Sequence, residues 1–553
     1  MLRKSIVLAG SITIVALLAL GCSGGGTDPI TPDGPSRSIG DFEDPWNIFG
    51  LNLDELEDPA DTQWVAQEVD LTPIVFDNTM TGQEGDLLTD SEDNSFVLAV
   101  SRVDALVLGE VIESFIELKM FSMRDYPGSP GEDLSPVMYD LKGGEFWGPV
   151  YSNEFNRIPG RYVNYVNDDS GCTPRVIARA SQDQDEAEFE VIVAYVQRDV
   201  SNPDEIVLYR GLFTISDLTD SSLDVDLDSQ DWDRIEPEDT EEYKFPDLAF
   251  GPISGNIHLV YNFYDESEPR DARIIHQQAS GWDSWENRTW INYDDNGDNG
   301  WIPRIDVGTV TDPYNFTTTG DVMTVAVVYT RQECSPPPPQ NYYGYRPYVR
   351  YWNEADGPGD ITDDDSFQLP IVNGNYEPGP NGVYCGSGVP VIDISPESDD
   401  NHDAFVAYVQ QVEGLPNPIR HNVFFAAQPF QGFVRVSRLA DDGVLPSICI
   451  HPDEDELSIT YYKQVTSGRE WEVFANRVDC ITQTVRGETQ IDIEALGSFN
   501  IAELQDYNFS TASDISSTLH NGHPAYFAAW SDAVGIVCKP CHIQATFGHT
   551  VPY

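Results

Sequence analysis

From about residue 60 onward the chain is written in short runs rich in Val, Ile, Tyr and Phe, separated by acidic or glycine-containing turns, with almost no stretch that repeats every 3.6 residues. A three-part unit recurs seven times. It begins with a short apolar strand, usually opened by proline: Thr72-Pro73-Ile74-Val75, Pro174 to Ile177, Pro246 to Ala249, Pro303 to Asp306, Pro390 to Asp393, Pro446 to Cys449 and, without proline, Asn508 to Thr511. A second, more continuously apolar strand follows at 96–100, 191–195, 257–261, 325–329, 404–408, 457–461 and 525–530. Third strands are expected at 115–121, 206–209, 272–276, 348–352, 422–426, 470–475 and 534–537.

Three such strands with a more variable fourth make a small antiparallel sheet that cannot bury both faces alone. Stacking several sheets radially buries them and leaves only short edges. The prediction is therefore an all-β chain forming a single β-propeller of seven blades over residues 46–553, with a pair of Greek-key sandwiches as the alternative architecture. The first and last openings, Pro73 and Asn508, imply about 72 residues per unit, which is long for a blade and calls for insertions before Pro174 and Pro390.

Upstream the pattern changes. Arg3 and Lys4 precede an apolar run from Ile6 to Leu20 that ends in Gly21-Cys22, the layout of an export signal and short for a membrane span. Leu18-Ala19-Leu20-Gly21-Cys22 resembles the lipobox of bacterial lipoproteins, although Ala19 and Leu20 sit one position out of step. The resemblance implies a signal peptide at 1–21, lipidation of Cys22, and a chain held in the cell envelope through N-terminal lipid, with Ser23 compatible with the outer membrane. Residues 22–45 are rich in Gly, Pro and Ser and read as a flexible tether.

Ninety-three acidic against thirty basic side chains leave a net charge of −63, yet 40% of the residues are hydrophobic and 11% aromatic. That composition supplies a packed core, and it excludes nucleic acid as a main partner because phosphate would be repelled over most of the surface. It also suits saline surroundings, where screening relieves self-repulsion.

Within the third unit, Gly255 to Tyr261 followed by Ala272 to His276 and Gly281-Trp282 resembles blades of the sialidase-like propeller superfamily. The resemblance implies a propeller and, as one functional alternative, a glycan-acting enzyme. Arg157-Ile158-Pro159 is similar to the Arg-Ile-Pro element that supplies sialidases with a carboxylate-binding arginine; Ser280-Gly281-Trp282-Asp283 departs from the order of an Asp-box.

Three further motifs carry chemistry. Cys538-Lys539-Pro540-Cys541-His542 has the spacing of c-type haem attachment, with Cys538 and Cys541 as thioether donors and His542 as axial ligand, or else is a cysteine pair in a propeller-closing segment. Asp294, Asn296 and Asp298 offer alternating oxygen ligands for Ca²⁺, or form a solvated turn. Cys334 and Cys385, in loops of neighbouring units, are the candidate disulfide, whereas Cys449 alternates with Ile448 and Ile450 and is expected to be a buried thiol. His520-Asn521-Gly522-His523 falls on an expected turn, and Tyr342-Tyr343-Gly344-Tyr345 on an expected loop able to stack on sugar rings or touch a partner. These features favour a membrane-anchored binding or scaffolding module for a protein or glycan, with the sialidase-like enzyme and a haem c electron-transfer protein as alternatives.

Overall fold

The computed structural model describes the strands between Trp46 and His549, together with the connecting residues 173–174, 236–237, 251–256, 272, 280–282, 284–286, 288, 291–292, 354–359, 369, 390, 395, 480, 482–483 and 491. All regular structure among them is β-strand, in seven antiparallel sheets with a path of four strands each. The first six sheets run from the innermost strand outward in sequence order. The inner strands are Thr62–Val75, Arg175–Ala180, Glu241–Phe250, Asn299–Thr311, Val391–Ile394 and Gly443–Ile450.

The seventh sheet differs. It runs from inner strand Ser513–His520 through His523–Ser531 and Ile543–His549, and its outer strand is Trp46–Asn47 from the start of the fold. Trp46 pairs with Ala545 and Asn47 with Gln544, so the two chain ends share one blade. Each inner strand touches the inner strands of the sheets before and after it, and the seventh touches the first. The result is a closed seven-bladed β-propeller.

Face-to-face stacking of the blades explains the apolar runs. Both faces of a second strand lie against protein, so these strands lose the in-out alternation of a half-solvated sheet. Val97 to Val100, Val191 to Val196 and Val325 to Tyr329 are all buried. The cores are shared between neighbours: Ile192, Ile206 and Tyr243 join blades 2 and 3, and Val260, Ile305 and Trp352 join blades 3 and 4. Buried tyrosines recur within the second strands as Tyr195, Tyr261, Tyr329, Tyr408 and Tyr461. Each needs a partner for its hydroxyl, and Tyr261 donates to Gln277 Oε1 at 2.8 Å while Tyr461 donates to Glu488 Oε1 at 2.5 Å.

The inner strands also share a distortion. Glu68, Thr173, Phe245, Ile302 and Leu445 have φ between 42° and 55°, and the pairing register slips beside four of them, at Gln67/Val69, Lys244/Asp247, Trp301/Arg304 and Val444/Ser447. A left-handed non-glycine residue costs about 1 kcal/mol or more, so a bulge repeated around the ring is a built feature. It accounts for the recurrent proline: Pro174, Pro246, Pro303 and Pro446 come directly after the left-handed residue, at the kink where a ladder N–H is dispensable.

Three sequence expectations are corrected. The first unit takes its register from Val69-Asp70 rather than Thr72-Pro73, since its bulge lies at Glu68. The third strand of the last blade is Ile543–His549, not 534–537, because the ladder to His523–Ser531 forms beyond the cysteine pair. Tyr343 to Tyr345 belong to strand Tyr343–Asn353, paired with Asp321–Cys334, and are not loop.

Candidate functional site

One residue of each inner strand lies at a common level of the ring, in five blades the second residue after the left-handed one. Going round the ring, that level holds Asp70, Arg175, Asp247, Arg304, Val391, Ser447 and Asp514, and two residues further along the same strands come Asp306, Asp393 and Cys449. Charged residues thus occupy positions in otherwise apolar strands, where an unpaired charge would be expensive.

What they do is stitch blades together. The channel-facing edge of an inner strand has no neighbouring strand in its own sheet, so its N–H groups need other acceptors. Asp70 accepts the backbone N–H of Val176 at 2.7 Å, Asp247 that of Ile305 at 2.8 Å, Asp306 that of Ile394 at 2.5 Å, Asp393 that of Ile450 at 2.5 Å, and Asp514 that of Leu71 at 2.7 Å. In every case the carboxylate belongs to one blade and the N–H to the next. Between blades 2 and 3 the link is ionic, with Arg175 Nε 3.3 Å from Asp247 and Arg179 donating to the Gly255 carbonyl at 2.7 Å. Between blades 6 and 7, Ser447 donates to Asp514.

The guanidinium of Arg175 is held between Asp70 and Asp247, and Arg304 Nη1 lies 3.6 Å from the same Asp247 oxygen. Carboxylates outnumber guanidinia here, and burial decides their protonation. Burial, opposed by Arg175 and reinforced by Asp70, pushes Asp247 up to about 7. Burial and then Asp70 push Asp514 up to about 7, and burial takes Asp393 to about 6. Asp306 is raised well above the carboxylate range by burial and by Asp393, to which it is hydrogen-bonded. Asp70, Asp247, Arg175 and Arg304 are buried, whereas Asp306, Asp393 and Asp514 keep part of their surface in solvent. A ring of carboxyls that gain and lose protons near neutrality, next to guanidinia, can exchange protons with a bound molecule and can orient an oxygen-rich one.

A second polar cluster lies at the other end of the strands, between blades 3 and 4. His258 Nε2 is 3.0 Å from Glu354 Oε1 and His258 Nδ1 is 3.1 Å from His276 Nε2; Ser254 and Asn256 also donate to that glutamate. Burial, then His258 and Arg350, hold His276 well below its ordinary value. Although burial works against it, the hydrogen bonds from His258, Ser254 and Asn256 hold Glu354 below the usual range. His258 and His276 are sealed from solvent, and the cluster reads as an inter-blade joint.

The sequence-predicted sites are distributed differently. Cys22, the Cys538, Cys541 and His542 motif, and the Asp294, Asn296 and Asp298 turn all lie outside the described residues. Among the described residues no group of three or more His, Cys, Asp or Glu is arranged to hold a metal ion. Cys334 and Cys385 fall in one sheet, on strands that flank Tyr343–Asn353 on either side: Cys334 pairs with Tyr343, and Cys385 with Gly344. Cys449 is a buried free thiol, raised well above its ordinary value by burial, and Cys480 is buried as well. Arg157–Pro159 is a short strand on the side of Glu110–Ser122. His520 and His523 are register partners at adjoining ends of the strands Ser513–His520 and His523–Ser531. At the near-miss of an Asp-box, Ser284 N–H and Oγ both donate to the Gly281 carbonyl, and Trp282 is buried in the core of blades 2 and 3.

No protein-family profile and no characterised protein sequence matches the chain significantly. Solved propeller structures resemble it. One is the α-L-arabinofuranosidase Arb93A of Fusarium graminearum, at 11% identity over 80% of this chain and 97% of that one, with a TM-score of 0.40. Another is the Penicillium chrysogenum α-L-arabinanase bound to arabinobiose, at 9% identity over 92% and 98%, TM-score 0.38. The Hadza microbial sialidase Hz136 matches at 8% identity over 93% and 94%, TM-score 0.34.

Proposed function

We propose that this propeller acts on a glycan at the end of the channel where the seven inner strands begin, cleaving a glycosidic bond there. The observation that supports the reading is the inner-strand ring itself, in which Asp70, Asp247 and Asp514 share one level with Arg175 and Arg304. Glycoside hydrolysis needs two carboxyl groups, one protonated near neutral pH and one ionised. The acid donates its proton to the glycosidic oxygen as the carbon–oxygen bond breaks; water adds to the sugar carbon and gives its proton to the second carboxylate. Asp514, pushed by burial up to about 7 and partly open to solvent, suits the acid; the second carboxyl would be Asp70, which burial raises above its ordinary value against the opposing pull of Arg175.

One observation favours a second reading, a glycan-binding module without turnover. Every carboxylate of the ring already accepts a backbone N–H from the next blade, which ties it to a structural duty. Incubating the purified protein with a panel of arabinans, sialylated glycans and other polysaccharides, and measuring both binding and new reducing ends, separates the two. Binding without reducing ends leaves the module, and neither leaves no glycan function.

The lipobox-like Cys22 supports placing the propeller in the cell envelope, tethered by N-terminal lipid. Because strand Trp46–Asn47 is the rim strand of blade 7, the tether would leave the body at that outer edge. Incorporation of radiolabelled palmitate, abolished in Cys22→Ala, is the expected outcome; equal labelling of the variant would remove the anchor.

A further inference from the structure

Resting on the glycan reading, we propose that Tyr264 and Trp301 form a stacking subsite for one sugar ring, with Lys244 at its edge, at the top of the cleft between blades 3 and 4. Trp301 opens the inner strand of blade 4, three residues before Arg304; Lys244 holds the equivalent place in blade 3, three residues before Asp247. Both precede the bulge of their strand, so both lie on the side of the charged ring where the inner strands begin, at roughly 10 Å along the strand from it. Tyr264 is on the neighbouring second strand, opposite Glu242.

The two rings are tilted against one another across the blade boundary, with centroids 6.1 Å apart and planes at 48°, and both residues are half-buried. Lys244 Nζ lies 5.5 Å from the Tyr264 centroid and 3.0 Å from Glu242 Oε2. An ammonium and a carboxylate beside an aromatic platform offer donor and acceptor to the hydroxyls of a molecule whose ring faces are apolar and whose rim is polar, as a sugar is. The platform is also rigid. Asn262 Nδ2 donates to the Gly300 carbonyl at 2.7 Å and Asn262 Oδ1 accepts the N–H of Ile302 at 2.7 Å, fixing the backbone on both sides of Trp301 to blade 3. Tyr243 packs on Tyr261 and His276 on Trp352 in buried contacts, whereas Trp290, which meets Phe263 edge-on in blade 3, is half-buried like Trp301.

The test is binding of the full chain to the polysaccharide panel by isothermal titration, comparing wild type with Trp301→Ala, Tyr264→Ala, the stacking-conservative Trp301→Phe, and a control, Trp232→Ala, from the Tyr209–Trp232 contact on the outer strand of blade 2. Roughly tenfold weaker binding is expected for each alanine variant at the cleft, near wild-type binding for Trp301→Phe, and no change for the control. Wild-type affinity in both cleft alanine variants would overturn the subsite while leaving a glycan-binding propeller standing. Absence of binding by the wild type to every polysaccharide would overturn the subsite together with the reading beneath it. Equal thermal unfolding of the variants guards against loss through misfolding, and Trp301→Phe decides the case if Trp301→Ala unfolds.

Discussion

The Asp514 carboxylate, in the last blade, accepts the backbone N–H of Leu71, in the first, at 2.7 Å. It repeats at the ring closure the contact that Asp70, Asp247, Asp306 and Asp393 make at other blade boundaries. The seam is thus sealed twice, at the hub by Asp514 and at the rim by strand Trp46–Asn47.

Asp514→Ala therefore leaves the Leu71 N–H and the Ser447 hydroxyl without this acceptor and should destabilise the fold by about 1–3 kcal/mol, the usual penalty for a buried polar group deprived of its partner. Chemical denaturation followed by tryptophan fluorescence measures it. Asp514→Asn keeps an amide oxygen for Leu71 and should lose no stability at pH 5; a loss there equal to that of Asp514→Ala would show that the hydrogen bond to Leu71 is not what matters at this position.

Stability should fall as pH rises. Burial lifts Asp247 and Asp514 to about 7 and Asp393 to about 6, against unfolded values near 4. An acid whose folded value is raised contributes fully below its unfolded value and loses that contribution as pH climbs through the folded one. Tm should accordingly decline between pH 5 and pH 8. Self-repulsion of a −63 chain acts in the same direction but is screened by salt, so the decline that persists at high ionic strength reports the buried carboxyls. Asp514→Asn mimics the protonated acid and should match wild type at pH 5 while exceeding it at pH 8.

Asp247 faces two guanidinia, at 3.3 Å for Arg175 and 3.6 Å for Arg304, besides taking the Ile305 N–H. Removing one partner from a buried ion pair costs about 3–5 kcal/mol. Asp247→Ala should show a loss of that size in equilibrium unfolding, the largest among single aspartate variants of the ring.

Asn262 holds the blade 4 bulge through the Gly300 carbonyl and the Ile302 N–H. Asn262→Ala should destabilise by about 2–4 kcal/mol, since two buried backbone groups lose their partner. Hydrogen exchange should then accelerate at Ile302, while the amides of Val191 to Val196 in blade 2 stay protected.

Much of the fold was legible in the residues. Continuous runs such as Val191 to Tyr195 and Val325 to Tyr329 announce strands buried on both faces, and all seven second strands lie where the pattern puts them. The first and last units were not, for a physical reason: the ring is closed by a strand from the other chain end, so blade 7 needs only three strands from its own stretch of sequence, and its third follows the cysteine motif. The ring site left a signal in plain view, a charged residue directly after proline in Pro174-Arg175, Pro246-Asp247 and Pro303-Arg304. Read as a strand opening it looks like punctuation. Its meaning depends on contacts 57 to 443 residues apart along the chain, which no local pattern encodes. Pairing of Tyr264 with Trp301 is likewise hidden, because neither stands in a distinctive motif.

The claim that the channel-end ring acts on glycans is tested most directly by measuring release of reducing sugar from the polysaccharide panel by wild type, Asp514→Asn and Asp70→Asn side by side. Release by the wild type, reduced at least a hundredfold in both variants while their folds persist, is the predicted result. Undiminished release in the folded variants would move the chemistry away from the ring, and no release from any polysaccharide by the wild type would contradict the account.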